Sequence, residues 1–202
     1  LLTKGSKQIQ IYDFSVYAQN SLDSNSLSIR SDFIDADVYG NYQMAEINSS
    51  LMKFINTYLP AFVNYEYSYI DDFKNGFNFK VYFKKTKPIF DYFLPQYYIA
   101  ENTVLEGEFD PDTNHLFLFL QSPRIDFYDN TWNNVYFNCQ SNDSIFSIVS
   151  GSKNLVLKKE INLENFTIYS DIRRDSVNFK TRWNNWDTLL YKGELRANAK
   201  FT

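Results

Sequence analysis

The sequence predicts a mainly β fold: a long antiparallel sheet built from repeated hairpins, with one or two short amphipathic helices in its N-terminal half. Three observations predict it. Apolar and polar residues alternate in short runs, polar turns join these runs, and the same unit returns along the chain. Alternation with a period of two gives a strand one apolar face and one wet face, so each unit is a β-hairpin.

The hairpin unit occurs in two clear and two looser copies. The clear copies are residues 137–148 and 166–183, and the looser ones are residues 12–29 and 105–120. The turns in the clear copies contain an Asp-Ser pair, at Asp143 and at Asp175, next to Asn or Arg. Such polar residues favour tight turns. No linker interrupts the pattern, so residues 1–202 are expected to form one continuous segment.

Two stretches follow the period of a helix. In residues 47–59 the apolar side chains recur at intervals of three and four, which is typical of an amphipathic helix. Asn48 or Ser49 is a candidate N-cap, and Pro60 ends the segment. Residues 88–94 begin on a proline and precede another one, so they predict a second, shorter helix.

Composition favours a large apolar surface and disfavours nucleic-acid binding. Of the 202 residues, 44% are hydrophobic and 19% aromatic, and the net charge is −4. A nucleic-acid protein would need a basic stripe, and the lysine cluster at 80–87 is better explained as a solvated strand face. The single cysteine, Cys139, excludes an intrachain disulfide and a cysteine zinc site.

No group of residues in the sequence predicts catalysis or a metal site, so no catalytic residue, metal or cofactor is expected and the chain is not expected to be an enzyme. His115 is the one histidine, which leaves no multi-histidine metal site. Asp110, Asp112 and Asn114 have the spacing that opens a calcium loop, but the sixth and twelfth positions are His115 and Gln121 instead of Gly and Glu. This segment is expected to be a hairpin turn.

Two further patterns leave functional alternatives open. Acidic pairs such as Asp71–Asp72 and Glu106–Glu108 could serve a glycosidase only if two carboxyl groups faced each other in a cleft. Trp132, Trp183 and Trp186 could form a platform that stacks on sugars. Trp183 shares the apolar parity of its strand, which favours a position in a core or a groove. A cell-surface β-sandwich that binds glycan or protein therefore remains the alternative.

The second half of the chain resembles the periplasmic TamB family, in the version found in Bacteroidota-type bacteria. This family belongs with the AsmA-like, bridge-like lipid-transfer proteins. The residues that carry the resemblance are the Asp-Ser hairpins at 143–145 and 175–177, the run 177–185 followed by 191–195, and the helix–proline segments 51–60 and 88–95. The resemblance covers most of the chain and depends on a pattern and not on an invariant motif.

The resemblance implies a sheet curled into a U-shaped hydrophobic trough, a β-taco, that shields phospholipid acyl chains without catalysis. It implies a place in the bacterial periplasm, inside a longer protein that is anchored in the inner membrane and serves lipid transport and outer-membrane biogenesis as a translocation and assembly module. The implied partners are phospholipid and, through other parts of the full-length chain, a BamA/TamA-type barrel protein of the outer membrane.

The expected lining of this trough consists of apolar-parity residues in the second half of the chain. They are Phe127, Val135, Phe137, Leu155, Leu157, Phe166, Ile168, Val177, Phe179, Trp183, Leu195 and Ala197. In a closed sandwich the same side chains would form an ordinary core. The alternation alone does not separate the two arrangements, and the resemblance favours the trough.

Overall fold

The computed structural model describes residues 2–4, 7–62, 75–185 and 192–201. Its main feature is a 12-stranded antiparallel sheet with the order β14-β13-β12-β11-β10-β9-β8-β6-β5-β4-β3, in which β7 pairs with β9 beside this path. The sheet ends on β3 and β14 and is not closed into a barrel. The predicted fold class, a long hairpin-repeat sheet with short helices, is therefore confirmed.

Most strands pair with their neighbours in the chain, as repeated hairpins require. The strands are β1 (Leu2–Lys4), β2 (Lys7–Ile9), β3 (Phe14–Asn20), β4 (Asn25–Ser31), β5 (Ile34–Asn41), β6 (Gly76–Phe83), β7 (Tyr97–Ile99), β8 (Val104–Asp110), β9 (His115–Phe127), β10 (Asn130–Ser141), β11 (Phe146–Leu157), β12 (Ile161–Arg173), β13 (Ser176–Trp183) and β14 (Gly193–Lys200). The helices are α1 (Ile47–Tyr58) and α2 (Lys87–Phe93), and a 3-10 turn covers Pro60–Phe62. β1 and β2 form a separate two-stranded sheet.

Two local predictions need correction. α1 begins after Glu46, which makes no side-chain capping bond, so neither Asn48 nor Ser49 is the N-cap. The sequence pattern places the turn of the first hairpin at Asn25 and Ser26, but the chain turns at 21–24, where Ser21 N–H donates to the Ser24 carbonyl over 2.9 Å, and residue 25 already belongs to β4. In both places several neighbouring polar residues are able to form the helix cap or the turn, so the sequence alone does not identify the one that does.

The register places residues of eleven strands in straight rows across one face. The first floor row contains Val16, Ile29, Ala36, Val81, Leu105, Leu120, Phe137, Ser150, Ile168, Thr181 and Leu195. The second floor row contains Ala18, Leu27, Val38, Phe79, Gly107, Leu118, Cys139, Ile148, Ser170, Phe179 and Ala197. Because residues two apart share a face, both rows lie on the same apolar side of the sheet.

A crease crosses the four longest strands. The ladder is interrupted at one level, where Pro123, Asn134, Lys153 and Asn165 stand opposite one another. Asn134 and Asn165 have left-handed backbone, with φ of 51° and 48°. The alternation of apolar and polar residues also shifts by one residue at this level. The rings of Trp132 and Phe166, on opposite sides of the crease, are nevertheless only 5.6 Å apart. The shift in parity therefore keeps the apolar side chains on one face.

Helix α1 lies across one end of the strands, and the sheet curls around it. Asn75, next to β6, donates to Ser50 Oγ over 2.7 Å, while the Asp175 N–H, between β12 and β13, donates to the Tyr58 carbonyl over 2.8 Å. These helix positions are about 12 Å apart along the axis. In a flat sheet, β6 and β12 would be five spacings, or about 24 Å, apart. The sheet must therefore curl toward the face that carries the helix, which brings β6 and β12 closer together.

Helix α2 lies at the opposite end of the strands. Its Tyr92 is buried together with Ile9 of β2 and Phe33, and Ile34 and Ile89 pack against this cluster. A proline near its start and the Thr86 hydroxyl, which donates to the Ile99 carbonyl over 2.5 Å, hold it beside β7. The two helices therefore flank the floor rows from opposite strand ends.

Candidate functional site

The candidate site is the floor, meaning the two floor rows as they cross β4 to β13. Its large side chains are half-buried, although they lie on the apolar face of the sheet. These half-buried residues are Leu27, Ile29, Val38, Phe79, Val81, Leu105, Leu118, Leu120, Phe137, Ile148, Ile168 and Phe179. Within the described part of the chain, no second sheet packs over them. The arrangement is an apolar furrow and not a closed core.

The two clusters of buried apolar residues lie at the strand ends and not on the floor. One contains Phe54 and Tyr58 of α1 with Phe109 and Ile172 of the sheet. The other is the α2 cluster described above. A closed sandwich would bury the large side chains in the middle of the sheet, whereas the large side chains of the floor are half-buried here.

The α1 cluster forms one wall of the furrow. The ring of Phe54 is 5.8 Å from that of Phe109 and 5.6 Å from that of Phe146, which stand on strands three positions apart. Tyr58 donates its hydroxyl to the Asn142 carbonyl over 2.5 Å, and Asp175 accepts the Ala61 N–H over 2.7 Å. These bonds link α1 and the 3-10 turn after it to hairpin turns at the end of the sheet, so the wall is part of the fold.

Two glycines let large rings lie flat on the apolar face. A Cβ on Gly107 would lie 2.9 Å from the Phe79 ring, and a Cβ on Gly193 would overlap the indole of Trp183 at 2.0 Å. Each glycine stands directly opposite the aromatic residue that covers it. The missing side chains lower these rings toward the sheet and so deepen the furrow.

Cys139 is a small side chain of the floor that its larger neighbours bury. Its side chain is 2% exposed between Leu118 and Ile148, its partners on the neighbouring strands. Burial raises the pKa of the thiol to about 11, because the thiolate would lose its hydration there. The thiol therefore stays protonated near neutral pH and behaves as a small apolar group.

The opposite face of the sheet is polar and carries cross-strand ion pairs. Lys80 is 2.8 Å from Glu106, and Arg30 is 2.7 Å from Asp37. Near the β14 edge, Arg182 and then Arg196 bond to Glu194 and lower its pKa to about 2. This face also carries exposed tyrosines, among them Tyr39 and Tyr136, so the contrast between the faces is one of charge and not of aromatic content.

The predicted lining residues fall on the apolar face in four groups. Phe137, Ile168, Leu195, Phe179 and Ala197 belong to the floor rows. Val135, Phe166 and Trp183 form the next row toward the crease, and Val177 lies in the row under α1. Phe127, Leu155 and Leu157 lie beyond the crease and share the parity of Trp132.

The lining residues differ in how much water reaches them. Val135 and Leu155 are buried, whereas Leu195, on the edge strand, and Phe127, beside the rings of Tyr97 and Tyr128, are exposed. The other large lining side chains are half-buried, and Ala197 is exposed. The middle of the furrow is therefore sheltered, while the edge strand and the far strand ends meet solvent.

Sequence reasoning missed the first half of the floor and its wall. Phe79, Val81, Leu105 and Leu120 continue the floor rows toward β5, and Phe54 belongs to the wall. The signal for these strand residues was present, because they alternate as regularly as the predicted lining. The contribution of α1 had no signal in the sequence beyond the apolar stripe of the helix.

The other candidate constellations lead elsewhere. Trp132 and Trp183 are half-buried on the apolar face, and Trp186 lies outside the described residues, as do Asp71 and Asp72. Glu106 pairs with Lys80, and Glu108 lies 3.5 Å from His115. In the segment with calcium-loop spacing, Asp110 accepts the Asp112 N–H over 3.0 Å, as in a hairpin turn.

The described residues contain no group of three or more His, Cys, Asp or Glu side chains placed to hold a metal ion. None of the helices described here has the length and apolar character that crossing a membrane requires. No family model matches the chain, and comparisons with curated proteins and with solved structures give no match either.

Proposed function

We propose that this chain shields phospholipid acyl chains in its apolar furrow and does not catalyse a reaction. The observation that carries the proposal is the floor: two mostly apolar rows, interrupted by Ser150, Thr181 and Ser170, on an uncapped sheet face between the helices at opposite strand ends. A fatty tail lying along the rows would cover their half-buried side chains, of which Ile148 also packs against the α1 cluster.

The energetics support a lipid as the occupant. Moving an acyl chain of about 16 carbons from an apolar environment into water costs about 13 kcal/mol, at about 0.8 kcal/mol per methylene. Every strand that the floor crosses contributes at least one apolar residue to the rows, so the floor offsets part of this cost all along a path. The tail therefore needs no single deep pocket and can slide, as transfer requires.

In this proposal the chain is an interior segment of a periplasm-spanning lipid-transfer protein of the TamB and AsmA-like kind. The open furrow and the hairpin repeat support this placement, together with the sequence resemblance. The longer protein would be anchored in the inner membrane and would reach a BamA/TamA-type barrel through its other parts. Its role would be to supply phospholipid for outer-membrane biogenesis.

Lipid that co-purifies with the protein tests the proposal. The chain is produced in bacteria, purified without detergent, and studied by native mass spectrometry and by lipid extraction. We expect bound phospholipid at a substantial fraction of one molecule per chain. A well-folded protein that is consistently free of lipid contradicts the proposal.

Paired charges on the two faces make the test specific. The double variant Phe137→Asp with Phe179→Asp places two carboxylates on the floor, where a fatty tail would desolvate them, so co-purified lipid should fall at least tenfold. The matched control, Phe119→Asp with Tyr169→Asp, places the same charges on the polar face. Equal lipid loss in both variants, with both folded by circular dichroism, shows that the floor is not the binding surface.

A further inference from the structure

Strand β3 is one edge of the sheet, and no strand among the described residues pairs with its outer side. In an antiparallel pair, residues that bond to the neighbouring strand alternate with residues whose N–H and C=O point away from it. The Asp13 carbonyl accepts the Asp32 N–H over 3.3 Å at one end of the first hairpin. At the other end Ser21 N–H donates to the Ser24 carbonyl, so the odd residues of β3 bond to β4. The residues whose backbone groups point outward are therefore Phe14, Val16, Ala18 and Asn20.

The side chains of β3 leave this edge unprotected. Edge strands are commonly protected from pairing with other chains by charged residues or prolines. The other edge strand, β14, carries three charged residues, Glu194, Arg196 and Lys200. Residues 14–20 contain neither a charge nor a proline. Phe14 and Tyr17, on opposite faces of β3, are instead 67% and 68% exposed. The β3 edge is therefore suited to pair with a further strand.

The sequence of β3 is complementary to itself. When two copies pair antiparallel about Tyr17, all 7 residues of the strand have a partner, and a shift of register leaves some of them unpaired. Val16 then stands opposite Ala18 of the second copy, and Tyr17 stands opposite Tyr17. The residues that bond in this register are those that point outward, so the ladder is complete. Because β3 is uncharged, no like charges meet within it.

The same pairing joins the floors of the two copies. Val16 and Ala18 end the two floor rows, so each row of one copy runs into a row of the other. A two-fold axis perpendicular to the sheet relates the copies, which keeps both apolar faces on one side. We propose that this chain forms a two-fold dimer through β3, with Tyr17 at the axis and one floor shared by both copies. This inference goes beyond the proposed function, because the dimer needs no lipid.

Pairing of β3 with β14 of another copy fits less well. The Phe201 N–H donates to the Asp175 carbonyl, so the odd residues of β14 bond to β13 and its even residues point outward. The even residues lie on the polar face in β14 but on the apolar face in β3. Since opposite residues of an antiparallel pair share a face, this pairing would join an apolar face to a polar one. A parallel pairing would match the faces but would build an open chain of copies.

Charges at the axis test the dimer. Sedimentation velocity at tens of micromolar should give twice the 23.9 kDa mass of the chain. Tyr17→Lys and Tyr17→Glu each place two like charges directly opposite each other, so each variant should dimerise severalfold more weakly. An equal mixture of the two variants pairs opposite charges and should dimerise more tightly than either alone. The matched controls Asn198→Lys and Asn198→Glu, on the polar face of β14, should dimerise like the natural sequence.

A proline at the edge tests the backbone pairing. Because the Val16 N–H points outward, Val16→Pro removes no bond to β4 and places its ring against the backbone of the second copy. This variant should be a monomer with an unchanged circular dichroism spectrum. The matched control is Asn198→Pro, whose N–H points outward from β14, and it should remain a dimer. If Val16→Pro does not fold, the exposed Tyr17 variants carry the test.

The outcomes separate this inference from its alternatives and from lipid binding. A monomeric natural sequence overturns it, and so does a dimer that a folded Val16→Pro leaves intact. A mass that keeps rising with concentration, and that falls in Asn198→Pro as well, shows open chains through β3 and β14 and also overturns it. A mixture no tighter than its two members overturns the axis at Tyr17. A lipid-free protein that dimerises as expected supports the inference and contradicts the proposed function.

Discussion

The furrow depends on single small residues, which leave room for the aromatic rings that lie over them. Gly107 is buried under Phe79, and a Cβ there would lie 2.7 Å from the Phe117 carbonyl as well as 2.9 Å from the ring. The carbonyl belongs to the paired backbone and cannot move away alone. The ring could move only upward, into the space that a tail would occupy.

Gly107→Val should therefore cost both stability and lipid binding. Forcing extra carbons into a filled site costs about 1–3 kcal/mol of unfolding free energy, which urea denaturation measures. The matched control is Gly76→Ala, where the nearest atoms to an added Cβ are 3.8 Å and 4.0 Å away. If Gly107→Val unfolds at the same urea concentration as the natural sequence, Phe79 does not lie on this glycine.

Acid should break the ion cluster at the edge strand. Arg182, and then Arg196, lower the pKa of Glu194 to about 2 from 4.5. A depressed carboxyl pKa stabilises the fold above pH 4.5, and this contribution is lost as the pH falls through about 2. A carbon-13 NMR titration of Glu194 should show its midpoint near pH 2, and Arg182→Leu should raise it. A midpoint near 4.5 in the natural sequence contradicts the cluster.

At the scale of the elements, α1 is the part that turns a sheet face into a furrow with a wall. Phe54 is 3% exposed and contacts the rings of Tyr58, Phe109 and Phe146. Leu51 lies on the same helix but is 37% exposed. Phe54 thus packs against several strands, while Leu51, on the same apolar stripe one turn earlier, is partly open to solvent.

Phe54→Ala should destabilise the protein far more than Leu51→Ala. Removing a buried Phe side chain leaves a cavity and costs about 3–5 kcal/mol, while truncation of Leu51, which is 37% exposed, removes fewer packed contacts and should cost clearly less. Thermal unfolding followed by circular dichroism measures both. Equal losses would show that α1 is not packed on the sheet.

The elements also show what the sequence can and cannot predict. Alternation predicted the hairpins, and the apolar period with Pro60 predicted α1. The crease was not predictable, because left-handed Asn134 and Asn165 look like any other asparagine in a chain rich in them. Their effect, a one-residue shift of parity, becomes visible only when neighbouring strands are aligned. For the same reason the floor appears once the register is known, and not from one strand alone.

For the whole molecule, the decisive property is that the apolar face is shared by many strands and closed by none of the described ones. In a compact core the apolar side chains already cover one another, so a fatty ligand would remove no further apolar surface from water. An open floor gains free energy when a tail covers it. Because such a ligand binds the folded chain and not the unfolded one, it must raise the unfolding temperature.

A soluble short-chain phospholipid, kept below its aggregation threshold, should therefore stabilise the delipidated protein. At about 100 times its dissociation constant a ligand adds about 2.7 kcal/mol, and for a chain of this length 1 kcal/mol shifts Tm by about 2–4 °C. The expected rise is about 5–10 °C. The variant with Phe137→Asp and Phe179→Asp should show no rise from its own starting Tm, because the carboxylates keep the floor wet, while the control with Phe119→Asp and Tyr169→Asp should respond like the natural sequence. If the lipid leaves the Tm of the natural chain unchanged, the furrow does not bind a fatty tail, and the proposed function is contradicted.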